Sequence, residues 1–198
     1  SYNNIQIVDV PYTKESTWKN IFWHQWLFQK LLKKYKCNIA YIPNFTLLLW
    51  KAVPTIVSIH DLIEYNVPEK FSKLRMLYRK GICDPLMAMR SDHILTVSQS
   101  SFNDIVAYLK VKPSKITLTL NASDKKIFKR YEKGEVEAAI SEYGLEYKKY
   151  LLFVGTIDYP GKNIKTVIEA FFELKAKENL NDFKLVIIGK KGYNSEVI

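Results

Sequence analysis

Cysteine is scarce. Cys37 and Cys83 are the only two in 198 residues, and they form no metal-ligand spacing. That excludes a disulfide scaffold and fits reduced thiols in a cytosolic protein. Long apolar runs are missing too. The longest, such as "TLLLW" and "YLLFVG", fall far short of the roughly 20 residues that span a bilayer. Neither end reads as a signal peptide, and there is no internal repeat or low-complexity stretch. The expectation is a soluble protein, at most peripheral to a membrane. Acidic residues are also in deficit: 20 Asp and Glu face 30 Lys and Arg, for a net charge of +10. Such a balance favours anionic partners: phosphorylated ligands, nucleic acid or an acidic membrane surface. The basic residues gather in "QKLLKKYK", "KFSKLRMLYRK" and "KKIFKRYEK". The plainer reading of each cluster is a solvated helix face or linker.

What is present is a core. Hydrophobic residues make up 47% of the chain, enough for one or two domains. "NIQIVDV" reads as a strand. "STWKNIFWHQWLFQKLLKKY" reads as an amphipathic helix capped by Ser16 or Thr17, with a core stripe of Trp23, Leu27, Leu31 and Tyr35 flanked by Phe22 and Trp26. "CNIAYIP", "VPTIVSIH", "DHILTVS" and "SKITLTLN" read as strands. A helical region over 71–90 is expected to break near Pro85. "SQSSFNDIVAYL" reads as a helix in which Ser101 and Asp104 fit a capping pattern.

Residues 122–148 are charged, with one short helix at about 134–143, and are expected to be a linker or hinge. Beyond them the pattern restarts with strand "YLLFVG", helix "KNIKTVIEAFFELKAKE" and strand "FKLVIIG". Alternating strands and helices, with nearly continuous apolar strands, predict α/β parallel sheets. The expected division is a first domain over 1–121, a linker over 122–148 and a second domain over 149–198.

The stretch "FVGTIDYPGKN" carries the candidate chemistry. In parallel α/β folds, ligands bind at the carboxyl ends of strands. The loop after Gly155 lies there, and a helix opening at Asn163 turns its first N–H groups toward it. Gly155 and Gly161 are read as allowing close backbone approach, and Lys162 adds a full charge. Together they predict a phosphate or diphosphate site. The plainer alternative is a turn glycine and a solvated lysine. A cation at a helix N-terminus costs about 0.3 to 1 kcal/mol unless an anion intervenes. The nucleotide P-loop fails here: five residues separate Gly155 from Gly161, and Asn163 stands where a hydroxyl would hold Mg²⁺.

Here the chain resembles the group 1, or family 4, glycosyltransferases of GT-B architecture. "LLFVGTIDYPGKNIKTVIEAFFELK" is similar to the opening of their nucleotide-sugar domain, "TIVSIHDLIEYNVPEKF" to a strand ending in His-Asp, and "SDHILTVSQSSFNDI" to a strand–helix unit. "ITLTLNASDKKIF" is similar to the passage out of the first domain, and "KLVIIGKKG" to the next strand. The resemblance implies two Rossmann-like domains, both incomplete, and an internal stretch of a longer enzyme whose glutamate motif lies further on. It implies that Lys162 binds the donor diphosphate with Gly155, Thr156 and Asn163. Many relatives have an arginine where this chain has Thr156. It sets His60 against the donor sugar as the catalytic candidate, and Asp61, Ser98 and Asn121 near the cleft.

Without the resemblance, His60 reads as a packed or capping histidine, Ser98 as a helix cap and Asn121 as a turn former. His24 and His93 read as structural. The implied reaction is a retaining, metal-independent hexosyl transfer from a UDP- or GDP-sugar, itself a substrate and not a cofactor. The acceptor would be a glycan or a lipid-linked molecule. The place would be the cytoplasm, with possible contact to an anionic membrane. The 198-residue chain is expected to be inactive alone. A basic nucleic-acid-binding module and a degenerate P-loop protein are the alternatives, although the aromatics fall at core-like periodicities and no nucleic-acid motif appears.

Overall fold

In the computed structural model, residues 5–10, 17–44 and 46–197 are described. In chain order, α1 (Thr17–Phe22), a π-helical turn (Trp23–Leu27) and α2 (Phe28–Lys34) run on as one helix. β1 (Ala40–Ile42), β2 (Thr55–Ser58), α3 (Ile63–Asn66) and α4 (Lys73–Tyr78) follow. A second π-helical turn (Arg79–Cys83) leads into α5 (Asp84–Arg90), then β3 (His93–Thr96), α6 (Gln99–Leu109) and β4 (Ile116–Leu118). The remainder is α7 (Lys133–Ser141), β5 (Tyr150–Val154), α8 (Ile164–Lys177) and β6 (Lys184–Ile188). The chain divides into two compact units. The first comprises 1–62 and 73–120, the second 63–72 and 121–198.

The first unit holds a four-stranded sheet in the order β1-β2-β3-β4. All three pairings are parallel, with Ala40 opposite Thr55, Ile56 opposite His93 and Ile94 opposite Ile116. The apolar runs of β2 and β3 become the two central strands because β-branched residues suit a surface covered on both faces. Val57, Ile59, Ile94, Leu48, Met87 and Ile105 have no exposed surface. Each contributes about 1.5 to 3 kcal/mol by burial.

Three expectations fail here. Residues 5–10 lie in no strand, and Ile5 and Ile7 are exposed; Asn4 lies outside the described residues. The predicted stripe of the first helix is not its buried seam. Leu27 and Tyr35 are exposed, and Phe22 and Trp26 are 55% and 48% exposed. Gln25 and Gln29 are buried instead, together with Leu32. The reason is hydrogen bonding. Gln25 Nε2 donates to Leu47 O, and its Oε1 accepts from Leu49 N at 2.9 Å. Gln29 Oε1 accepts from Ala52 N at 2.8 Å. Two amides thus satisfy an irregular backbone that no strand pairs. Of the two proposed caps, Ser16 lies outside the described residues and Thr17 is already helical.

Pro85 does not end the helix over 73–90. It sits at the second position of α5, after the π-helical turn, where no helical N–H is needed. Asp84 opens α5 fully buried and pairs with Arg79, Nε to Oδ1, at 3.2 Å. The cap of α6 is Ser98, whose Oγ accepts from Ser101 N at 3.1 Å. Ser101 is inside the helix and does not cap it.

The second unit contains the parallel pair β5-β6, with Tyr150 opposite Lys184 and Val154 opposite Ile188. Helix α8 crosses between them and buries Ile164 and Phe171 on one face. Two strands and one long helix leave apolar surface open. Leu151, Leu152 and Val154 stay exposed, Val154 at 70%. The expected linker over 122–148 belongs to this unit and contains α7, with a capping box of Glu132 and Glu135. Residues 63–72, expected in the first domain, group with this unit as well.

Candidate functional site

The loop between β5 and α8 is built on a continuation of the parallel pairing. Gly155 N donates to Ile188 O at 2.9 Å, Ile157 N to Lys190 O at 2.9 Å, and Gly192 N to Ile157 O at 2.8 Å. Tyr159 N donates to Tyr193 O at 3.0 Å, and the Tyr159–Pro160 peptide is cis. The loop after Gly155 is therefore held along its length by the segment after β6.

Of the two expected glycines, Gly161 is closely approached, since a Cβ there would stand 2.7 Å from Lys70 Nζ, but Gly155 is not, and two unexpected glycines are needed as well. A Cβ on Gly189 would stand 1.7 Å from Gly155 O, and one on Gly192 would stand 2.6 Å from Thr156 Cγ2. A Cβ on Gly155 would meet only the Phe153 ring, at 3.3 Å. So Gly155 supplies its carbonyl, and Gly189 supplies the space. Thr156 turns its methyl toward Gly192.

Asp158 organises the loop. It is 3% exposed. Its Oδ1 accepts from Lys162 N at 2.6 Å, and its Oδ2 pairs with Lys70 Nζ. The carboxylate already supplies an anion ahead of α8, so part of the electrostatic reason for expecting a bound phosphate there is met internally. Lys162 itself is exposed, and no described acidic side chain pairs with its Nζ. Helix α8 opens at Ile164, one residue later than expected. Asn163 is the N-cap in a left-handed conformation (φ 48°), and its side chain caps no helix N–H. Its Oδ1 instead accepts from Thr166 Oγ1 at 2.9 Å. The first N–H groups of α8 are thus left without a side-chain cap beside an exposed lysine.

In the first unit, His60 follows β2 and is exposed. Its Nε2 lies 2.9 Å from Pro43 O. A carbonyl only accepts, so Nε2 is the donor in this contact. The main chain of His60 is held by Ser101 Oγ, which donates to His60 O at 2.7 Å. Ser98 Oγ in turn donates to Ser101 Oγ at 2.9 Å. The structure therefore joins Ser98 to His60 through Ser101, which fits a capping pattern in the sequence but lies inside the helix. Asp61 is exposed beside them. Asn121 is exposed and falls in the second unit. His24 packs edge-on against Trp23, and His93 Nε2 lies 2.8 Å from Thr117 Oγ1, both within packed elements.

Lys70, Asp158, Gly189 and Gly192 were missed. Asp158 had a readable signal: a short acidic side chain four residues before a backbone N–H at a helix entry. Lys70, far away in sequence, had none. Among the described residues no group of three His, Cys, Asp or Glu is placed to hold a metal ion, and no helix is long and apolar enough to cross a membrane.

The family model described as Glycosyltransferase Family 4 matches residues 2–126. The chain belongs to glycosyltransferase family 4. The match takes in the His60 group of this family 4 chain and ends before the β5–α8 loop. No curated protein matches the chain. Among solved structures, a glycosyltransferase from Rickettsia africae ESF-5 matches with 13% identity and a TM-score of 0.48, over 92% of this chain and 54% of that one. Anabaena HepE in complex with UDP matches with 10% identity and a TM-score of 0.44, over 73% of this chain and 43% of that one. The family 4 chain spans about half the length of these structures.

Proposed function

We propose that this family 4 chain serves hexosyl transfer from a UDP- or GDP-sugar to a glycan or lipid-linked acceptor, with retention and without a metal. The donor diphosphate belongs at the loop 155–163, and the acceptor belongs to the first unit. Lys162, exposed and without an acidic partner at the uncapped entry to α8, is the observation that carries this reading. As the sugar leaves, negative charge grows on the diphosphate. A fixed ammonium and oriented N–H groups stabilise that charge without reorganising. His60, exposed after β2, is proposed as the catalytic group of the first unit. The net charge of +10 suits work in the cytoplasm next to an anionic membrane surface.

The test is binding of UDP and GDP to the full chain by calorimetry, which does not depend on turnover. Lys162→Ala is expected to weaken binding about tenfold or more, the value of a charge-assisted contact. Lys165→Ala, at the exposed second residue of α8, is expected to cost under about threefold. EDTA should change neither value. Equal losses from the two lysines would overturn the assignment.

A further inference from the structure

Asp158 presents a difficulty for any anion at this loop. A buried carboxylate lies one hydrogen bond from the backbone of Lys162, at 2.6 Å. Left bare, it would repel the ligand that Lys162 is there to hold. The loop is nonetheless built around it. A Cβ on Gly161 would stand 3.1 Å from Asp158 Oδ1, and one on Gly192 would stand 3.1 Å from Asp158 Cβ. The second carboxylate oxygen is taken by Lys70 Nζ. That ammonium also lies against the loop itself, since a Cβ on Gly161 would be 2.7 Å from it. Lys70 is the last residue of a 3₁₀ turn, Pro68–Lys70, in which Phe71 N donates to Pro68 O at 3.1 Å. The Lys70 and Asp158 side chains are 20% and 5% exposed.

We propose that Lys70 is a positioning residue that makes the loop 155–163 receptive to a diphosphate by neutralising Asp158. This rests on the reading of that loop as a donor diphosphate site. Asp158 fixes the backbone of Lys162, and Lys70 cancels the charge that this fixing brings in. The loop then faces its ligand with the charge of Lys162 uncompensated. One basic residue of the cluster over 70–80 is thereby explained neither as a solvated face nor as a direct phosphate contact.

The prediction is unusual for an ion pair, because its two partners should respond with opposite signs. Lys70→Met leaves Asp158 charged and unpaired, and should weaken UDP and GDP binding to the full chain about tenfold. The loss should shrink in 0.5 M salt, as a charge effect does and a packing defect does not. Asp158→Asn keeps an oxygen for the Lys162 N–H but removes the negative charge, and should strengthen binding about threefold. The double variant should return to within about threefold of the parent. It contains no unpaired buried charge, so it serves even if Lys70→Met alone fails to fold. Equal weakening by both single changes, or a double variant as poor as Lys70→Met, would overturn the proposal while leaving the diphosphate site standing. No loss with Lys162→Ala, or no binding by the parent chain, would remove the site and the proposal with it.

Discussion

Lys162 and Lys165 are both exposed and three residues apart, yet they stand in different electrostatic settings. Lys162 lies in the loop before α8, with its N–H fixed by Asp158, and Lys165 lies within the helix. The glycines show a similar contrast. Gly189→Ala would drive a methyl to 1.7 Å from a neighbouring backbone oxygen. It must force β5 and β6 apart beyond their last pairing, and a loss above about 2 kcal/mol is expected in urea unfolding. Gly134 has nothing within 4 Å of its would-be Cβ and lies in α7. Gly134→Ala is expected to stabilise the chain by about 0.5 to 1 kcal/mol in the same measurement, by restricting the unfolded backbone and favouring the helix. The two substitutions are chemically identical and should move the transition in opposite directions.

The first helix shows how an element is seated by more than its apolar period. Its aromatics recur every four residues, but Gln25 and Gln29 face inward because the run over 47–52 needs hydrogen-bond partners. Replacing Gln25 with Ala strands Leu47 O and Leu49 N. The expected cost is about 2 to 3 kcal/mol in thermal or urea unfolding. Trp26→Ala, on the exposed side, should cost under about 1 kcal/mol. The reverse ranking would show that the aromatic stripe seats the helix. The β2–β3 pair is tied in a related way. Asp92 Oδ2 accepts from Thr55 N at 2.7 Å and pairs with Lys51, while Asp92 N donates to Thr55 O at 2.8 Å. Burial acts to raise the Asp92 carboxyl, but the bonds from Lys51 and Thr55 N outweigh it and hold it below its usual value.

For the molecule as a whole, two properties are open to measurement. The first is where the chain is cut. Residues 117–135 are exposed without interruption and carry Lys125, Lys126, Lys129 and Arg130. Brief trypsin treatment is expected to cleave there before anywhere in 93–111, where β3 and α6 are packed. The second is alkaline stability. Burial, reinforced by neighbouring Cys83, pushes the Tyr78 hydroxyl from its ordinary 10.0 up to about 12. The folded chain therefore keeps this proton where the unfolded chain has released it. Below pH 10 the contribution to stability is fully present, and it declines between about pH 10 and pH 12. Tyr78→Phe should flatten that part of the curve of urea midpoint against pH. An unchanged slope would show that other groups set it.

Much of this molecule could be read from local pattern. β-branched apolar runs bounded by proline became the parallel strands β1 and β2, and "YLLFVG" and "FKLVIIG" became β5 and β6, because strand formation depends on side chains within a few residues. The order of motifs identified the family for the same reason. What the local pattern missed depends on neighbours remote along the chain. Gln25 is buried because residues 47–49 lack strand partners, Gly189 is needed because Gly155 O lies against it, and Asp158 tolerates burial because Lys70 reaches it from another segment. Hydrogen bonds and ion pairs of this kind are satisfied through space, and their partners carry no sequence period. Only the fold, by bringing those segments within about 3 Å, sets which polar residues are structural and leaves Lys162 facing outward.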